Sequence, residues 1–222
     1  MALNLLMLGP PGAGKGTQAE RFARLRNIPK ISTGDILREA VHAKTEIGLR
    51  AKAIMDRGEL VSDDVMIGIV RERLEQTDAK DGFVLDGFPR TVAQASALDT
   101  IMTERDPLIV IDIVVPEAEL VRRLGSRMIC EDCGTGAPVG SMVGAACAKC
   151  GGRLVQRADD DQAVVIERLK IYHRQSEPLV EYYRVRPTFR SIDGAQAPDR
   201  VAEDLAAAIA AVNGYGSLGG RV

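Results

Sequence analysis

Two stretches of this chain hold residue types whose spacing suits chemistry. The first is GPPGAGKGTQ (Gly9–Gln18), where four glycines and two prolines surround one lysine directly after the apolar run Leu3, Leu5, Leu6, Met7, Leu8. A loop this rich in glycine costs conformational entropy on folding and offers bare backbone in return. Gly9-x4-Gly14-Lys15 fits the pattern in which successive N–H groups and a helix N-terminus surround phosphate oxygens, with the lysine on the phosphates being separated. The strict pattern wants Ser or Thr after the lysine; here Gly16 holds that place and Thr17 follows. The second stretch is Cys130-x2-Cys133-x13-Cys147-x2-Cys150, which contains every cysteine of the chain. Paired C-x2-C units can converge four thiolates tetrahedrally on zinc; iron suits the same sulfur set, and disulfides are disfavoured in a reducing cytosol.

The elements that must carry these residues follow from periodicity. Residues 3–8 read as a buried strand and Lys15–Arg26 as a helix with Ala19, Phe22 and Ala23 inward. Apolar runs recur at Phe83–Leu85, Ile109–Val115 and Phe189–Ile192, separated by helical patterns at Asp63–Glu75, Val92–Arg105, Glu117–Arg127 and Asp161–Tyr183. Strands alternating with helices predict an α/β fold with a parallel sheet covered on both faces. From Cys130 to Gly152 the alternation lapses into Gly, Ala and Cys, which marks an inserted lobe with no core of its own, in need of a metal staple. The glycine-rich tail Gly214–Val222 is expected to fray.

Composition narrows the function. A net charge of −2 over 222 residues, 4% aromatics and no Trp give no footprint for nucleic acid. Between Cys130 and Cys150 the single basic residue is Lys149, which argues against a zinc-ribbon nucleic-acid module on a phosphate-loop ATPase. No run is apolar enough to span a membrane, and the N-terminal run lacks a basic flank and a cleavage site, so a cytoplasmic enzyme is expected.

Four stretches taken together, GPPGAGKGTQ, ISTGDILR (Ile31–Arg38), DGFPRTVAQ (Asp86–Gln94) and QRADD (Gln156–Asp160), resemble in order and spacing the adenylate kinases of the long form with a cysteine-bearing lid. The likeness runs from Leu3 to about Val212, and it includes the Gly16-Thr17 ending of the loop. The resemblance implies a P-loop kinase fold with a five-stranded parallel sheet, reversible transfer of a phosphoryl group from MgATP to AMP, and ATP, AMP and ADP as ligands of a monomer. It implies a core of residues 1–31, 62–126 and 162–222, a helical AMP-binding insertion at 32–61 and a metal-stapled lid at 127–161. Gly12, Ala13, Gly14, Lys15, Gly16, Thr17, Arg123, Arg127 and Gln196 would bind ATP. Thr33, Arg38, Leu60, Val61, Gly87, Arg90, Gln94, Arg157 and Arg168 would bind AMP. Lys15, Arg90, Arg127, Arg157 and Arg168 would gather on the transferring group, Asp86 would orient the water shell of Mg2+ with help from Asp35, and Asp159 and Asp160 would hold the closed lid.

The chemistry of these residue types agrees with those roles. Guanidinium is a planar fork for phosphate oxygens, and the Gln94 amide, one helical turn beyond Arg90, offers a donor and an acceptor to an adenine edge. In-line phosphoryl transfer needs charge neutralisation and exclusion of water more than a general base, so His42 and His173 are expected at the surface. The acceptor alternatives UMP, CMP and GMP would want other edge partners than Gln94. The chain departs from the family in its lid: Gly134-Thr135-Gly136-Ala137-Pro138 replaces the usual Tyr-His, Met128 stands for a second Arg, Ser126 for a Gly, and the spacer is short.

Overall fold

The strand at Leu3–Leu8 (β1) splits its side chains between two faces, as the two-residue repeat of a strand requires. Leu5 and Met7 enter one apolar cluster, Leu6 and Leu8 the other. The structure, a computed structural model, describes residues 2–138 and 140–218. After β1 come α1 (Lys15–Arg26), β2 (Lys30–Ser32), α2 (Thr33–His42), α3 (Glu46–Asp56), α4 (Asp63–Glu75), β3 (Gly82–Asp86) and α5 (Val92–Ile101). The chain continues through β4 (Leu108–Val114), α6 (Glu117–Gly125), β5 (Met128–Cys130), β6 (Leu154–Gln156), α7 (Gln162–Ile171), α8 (Pro178–Arg184), β7 (Phe189–Asp193) and α9 (Pro198–Leu218).

Five strands form one sheet in the order β2-β3-β1-β4-β7, every pairing parallel. Helices α1, α6, α7 and α9 cover one face through Phe22, Leu124, Leu169 and Leu205, and α4, α5 and α8 cover the other through Val70, Leu98 and Tyr183. Coverage on both faces explains why the central strands read as continuous apolar runs. The register aligns Met7 and Ser32 with Asp86, so the carboxyl ends of β1, β2 and β3 finish at one level. In open α/β sheets ligands bind outside that edge.

The expected elements are present, with shorter ends. The segment predicted as helix to Arg105 stops at Ile101, and Met102 to Arg105 continue as turns. The pattern Glu117–Arg127 stops at Gly125. Asp161–Tyr183 is not one helix: a π turn at Tyr172–Ser176 separates α7 from α8, which begins at Pro178, a residue with no N–H to continue the ladder. The tail expected to fray begins inside α9, which runs through Gly214 to Leu218; residues 219–222 lie outside the described residues. An alanine-rich run at 206–211 carries that helix forward.

Candidate active site

The loop after β1 is built to expose amides. Gly9, Gly12 and Gly14 take φ of 133°, 85° and 93°, where side chains are strained. Gly14 caps α1 without a side-chain bond, and no atom lies within 4 Å of the place a Cβ would occupy there. The first amides of α1 carry the positive end of the helix dipole. Lys15 arches back over the loop, its Nζ donating to the carbonyl oxygens of Gly9 (2.7 Å) and Pro10 (2.8 Å). Burial lowers its pKa to about 8; Asp86 opposes the fall, and Arg90, Arg168 and Arg127 add to it. Gly16 stands close to Asp86: a Cβ at Gly16 would lie 3.2 Å from Asp86 Oδ2.

Five arginines converge on the same edge. Burial and then Arg168 depress the Arg90 pKa to about 10, with Arg38 contributing, while burial and then Arg127 and Arg38 do the same to Arg157. Arg168 is lowered by burial, and Arg127 and Arg38 add to that. These groups and Lys15 thus share one field, and they outnumber the carboxylates Asp35, Asp86, Asp159 and Asp160 set among them. A cluster of like charges with depressed pKa values is an anion site awaiting its anion. Arg127 grips Asp160 through Nε (2.6 Å) and a terminal nitrogen (2.5 Å). Arg168 reaches Asp160 (3.0 Å) and Asp159 (3.0 Å), and Arg157 reaches Asp159 (3.1 Å). Arg90 differs: its Nε donates to the Gly87 carbonyl (2.8 Å), and it has no ion pair among the described residues.

Gly87 is the hub of the side facing β2. Its carbonyl also accepts from Thr33 Oγ (2.8 Å), and a Cβ there would crowd both Thr33 and Arg90. Arg38 bonds Asp35 one turn back on α2. Burial alone would raise the Asp35 pKa, but Arg38 and Lys30 hold it at about 2. Leu60 shares a pocket with Lys15, Gly87, Arg90 and Arg168, whereas Val61 packs into the core. Gln94 is 1% exposed, its Oε1 accepting from the Arg90 amide (2.7 Å) and its Nε2 donating to Asp63 (2.7 Å).

Two predicted ATP contacts are engaged elsewhere: Arg123 bonds Glu119 on its own helix, and Gln196 bonds Asp193 and Asp204, while Thr17 is exposed in the first turn of α1. His42 is exposed and His173 sits between Glu117 and Glu177 at the surface, so neither histidine joins the site. Three residues that sequence reasoning missed belong beside it. Tyr172 and Ser176 of the π turn line the pocket, with Ser176 Oγ donating to the Arg90 carbonyl (2.8 Å), and Asp63 braces Gln94. Pro178 was the available signal for the turn; nothing near Asp63 in sequence points to Gln94.

The lobe between β5 and β6 has a different physics. Those two strands pair antiparallel, and among the described residues its buried ones are Cys130, Cys147 and Leu154. The four cysteine sulfurs all lie within 4.8 Å of one another, unbridged, with Cys130 and Cys150 at 3.4 Å and Cys133 and Cys147 at 3.8 Å. Four sulfurs at ~2.3 Å from one tetrahedral ion would stand about 3.8 Å apart. Gly134 (φ 67°) and Gly151 (φ 78°) close the knuckle after each pair, their amides bonding Cys130 O and Cys147 O. The donor set fits a soft tetrahedral metal ion.

The family model described as adenylate kinase matches residues 7–188. An adenylate kinase of Archaeoglobus fulgidus is 49% identical over 213 residues, covering 92% of this chain and 97% of its own. Those of Bacillus cytotoxicus (48%; 91% and 96% covered) and Magnetococcus marinus (45%; 92% and 99%) are similar along nearly the same span.

Proposed function

The chain belongs to the adenylate kinase family and catalyses ATP + AMP = 2 ADP, and we propose that Lys15, Arg90, Arg127, Arg157 and Arg168 carry the transfer. The observation behind this reading is the single field these cations share at the carboxyl edge of the sheet. The amides of Gly12–Thr17 and Lys15 would hold the ATP phosphates, Arg38 and Arg90 the AMP phosphate, and Thr33, Leu60, Val61, Gly87 and Gln94 the rest of AMP. Arg123 and Gln196 would flank the ATP base. Asp86 at the end of β3 would orient the waters of Mg2+, which when bound neutralises charge on the transferring phosphates.

Transfer then depends on position and charge. Residues 32–61 would cover AMP and residues 127–161 would close over ATP, both moving on a core of 1–31, 62–126 and 162–222. Closure brings Arg127 and Arg157 onto the transferring group and removes water, which strengthens every charge contact inside. The four cysteines would bind zinc, whose task is to fold the lid, not to react. Among the described residues no helix is long and apolar enough to cross a membrane; we place the enzyme in the cytoplasm as a monomer. Initial rates of transfer from MgATP to AMP, GMP, CMP and UMP test the acceptor pocket. AMP should be preferred; preference for another nucleotide would void the roles given to Thr33, Gln94 and their neighbours.

A further inference from the structure

A glutamine amide is a poor judge of purines when it is free to turn. Adenine presents an amino donor beside a ring acceptor, guanine a carbonyl acceptor beside a ring N–H, and an amide rotated by half a turn matches either. What fixes the amide fixes the choice. In this structure Gln94 is fixed from both ends: the Arg90 amide can only donate, and it meets Oε1 at 2.7 Å. The Asp63 carboxylate can only accept when ionised, and it meets Nε2 at 2.7 Å. Thr91 closes the ring, its hydroxyl donating to the other Asp63 oxygen (2.9 Å) while accepting from the Gln94 backbone amide (3.2 Å). The turned amide would set donor against donor and acceptor against acceptor. Asp63 stands in the first turn of α4, where a carboxylate ordinarily serves its own helix end, yet its side chain is spent on α5 instead.

We propose that Asp63 is a specificity-determining positioning residue: with the Arg90 amide it locks the polarity of the Gln94 amide, leaving one N–H and one lone pair in the order that accepts a 6-amino purine and rejects a 6-oxo purine. This inference rests on the reading of Gln94 as the adenine contact, and its test separates the two. Asp63→Asn keeps the shape but gives position 63 a donor as well as an acceptor, which removes one of the two constraints. The measured quantity is the ratio of kcat/KM for AMP to that for GMP at fixed MgATP. Asp63→Asn should lower this ratio roughly 10-fold, partly through a gain with GMP, since a well-matched bidentate pair discriminates by about that much or more. Thr91→Val, which frees the other side of the carboxylate, should shift the ratio the same way, and Thr91→Ser should restore it. A merely structural role would slow both acceptors alike. An unchanged ratio in Asp63→Asn and Thr91→Val, with the ratio collapsed in Gln94→Leu, overturns the lock and leaves the Gln94 contact standing. An unchanged ratio in Gln94→Leu removes the contact, and the lock with it.

Discussion

Arg90 and Lys15 on the core and Arg127 and Arg157 beside the lobe between β5 and β6 are held by different means, with Arg168 on α7 sharing the carboxylates of the second pair. Arg90 and Lys15, on the core, bond main-chain carbonyls of Gly87, Gly9 and Pro10, and the strands beneath them are packed into clusters on both faces of the sheet. Arg127 and Arg157, at the base of the lobe, bond the carboxylates of Asp160 and Asp159, beside a lobe whose buried residues, among those described, are Cys130, Cys147 and Leu154. Carbonyl partners neutralise little charge, so the core half stays electrostatically hungry and geometrically fixed. Carboxylate partners neutralise much, so the lobe half is settled without substrate and must share its arginines when phosphate arrives. The lesson is a division of labour between a prearranged half and an exchangeable half.

That contrast can be broken most sharply at Arg90. Arg90→Ala should lower kcat by about 10³-fold or more, the scale of a transition-state arginine, with the melting temperature unchanged or raised because a crowded cation has gone. Steady-state kinetics and a thermal melt on the same sample check both halves of that statement. Next in size is removal of the metal proposed for the lobe. A chelator, or Cys130→Ser, should strip hydrogen-exchange protection from the amides of Cys130, Cys147 and Leu154 while β1 and β4 keep theirs, and slow transfer by roughly 10- to 100-fold. Global unfolding in the chelator would show that the two regions are not independent.

The smallest effect sharpens the core side through Lys15. Its pKa in the free enzyme is lowered to about 8, against an ordinary value of 10.5. Between those values the unfolded chain holds a proton that the folded chain has lost, so folding stability gains from this group as pH rises from about 8 to about 10.5. Bound phosphate should restore the charge, so nucleotide binding should take up most of a proton at pH 9 and almost none at pH 7. Calorimetry in buffers of differing ionisation enthalpy reads that number directly.

Much of this frame was legible beforehand, and the parts that were not share a cause. Leu3–Leu8, Lys15–Arg26 and Asp63–Glu75 match the periodicity residue for residue, because glycines, prolines and caps mark their ends. The edge strand Lys30–Ser32 is too short to show a period. Cysteine spacing foretold the convergence of four sulfurs, since each pair closes on itself locally. The bracing of Gln94 by Asp63 joins residues 31 apart in sequence, and the neighbour of Gly16 on α1 is Asp86 on β3. Local rules cannot see either. Sequence patterns report what a segment needs of itself; they are silent on what one segment does for another.

The place of β1 in the sheet governs when the enzyme can come into being. Its neighbours are β3, ending at Asp86, and β4, ending at Val114. A ribosome that has released the first 75 residues has made the phosphate loop and its helix, yet has given their strand no partner on either side. Closing those contacts spans 79 residues to β3 and 104 to β4, the slow kind of pairing. The phosphate loop is therefore made well before it can be enclosed, and a nascent chain acquires its grip on nucleotide only after β3 and β4 have followed.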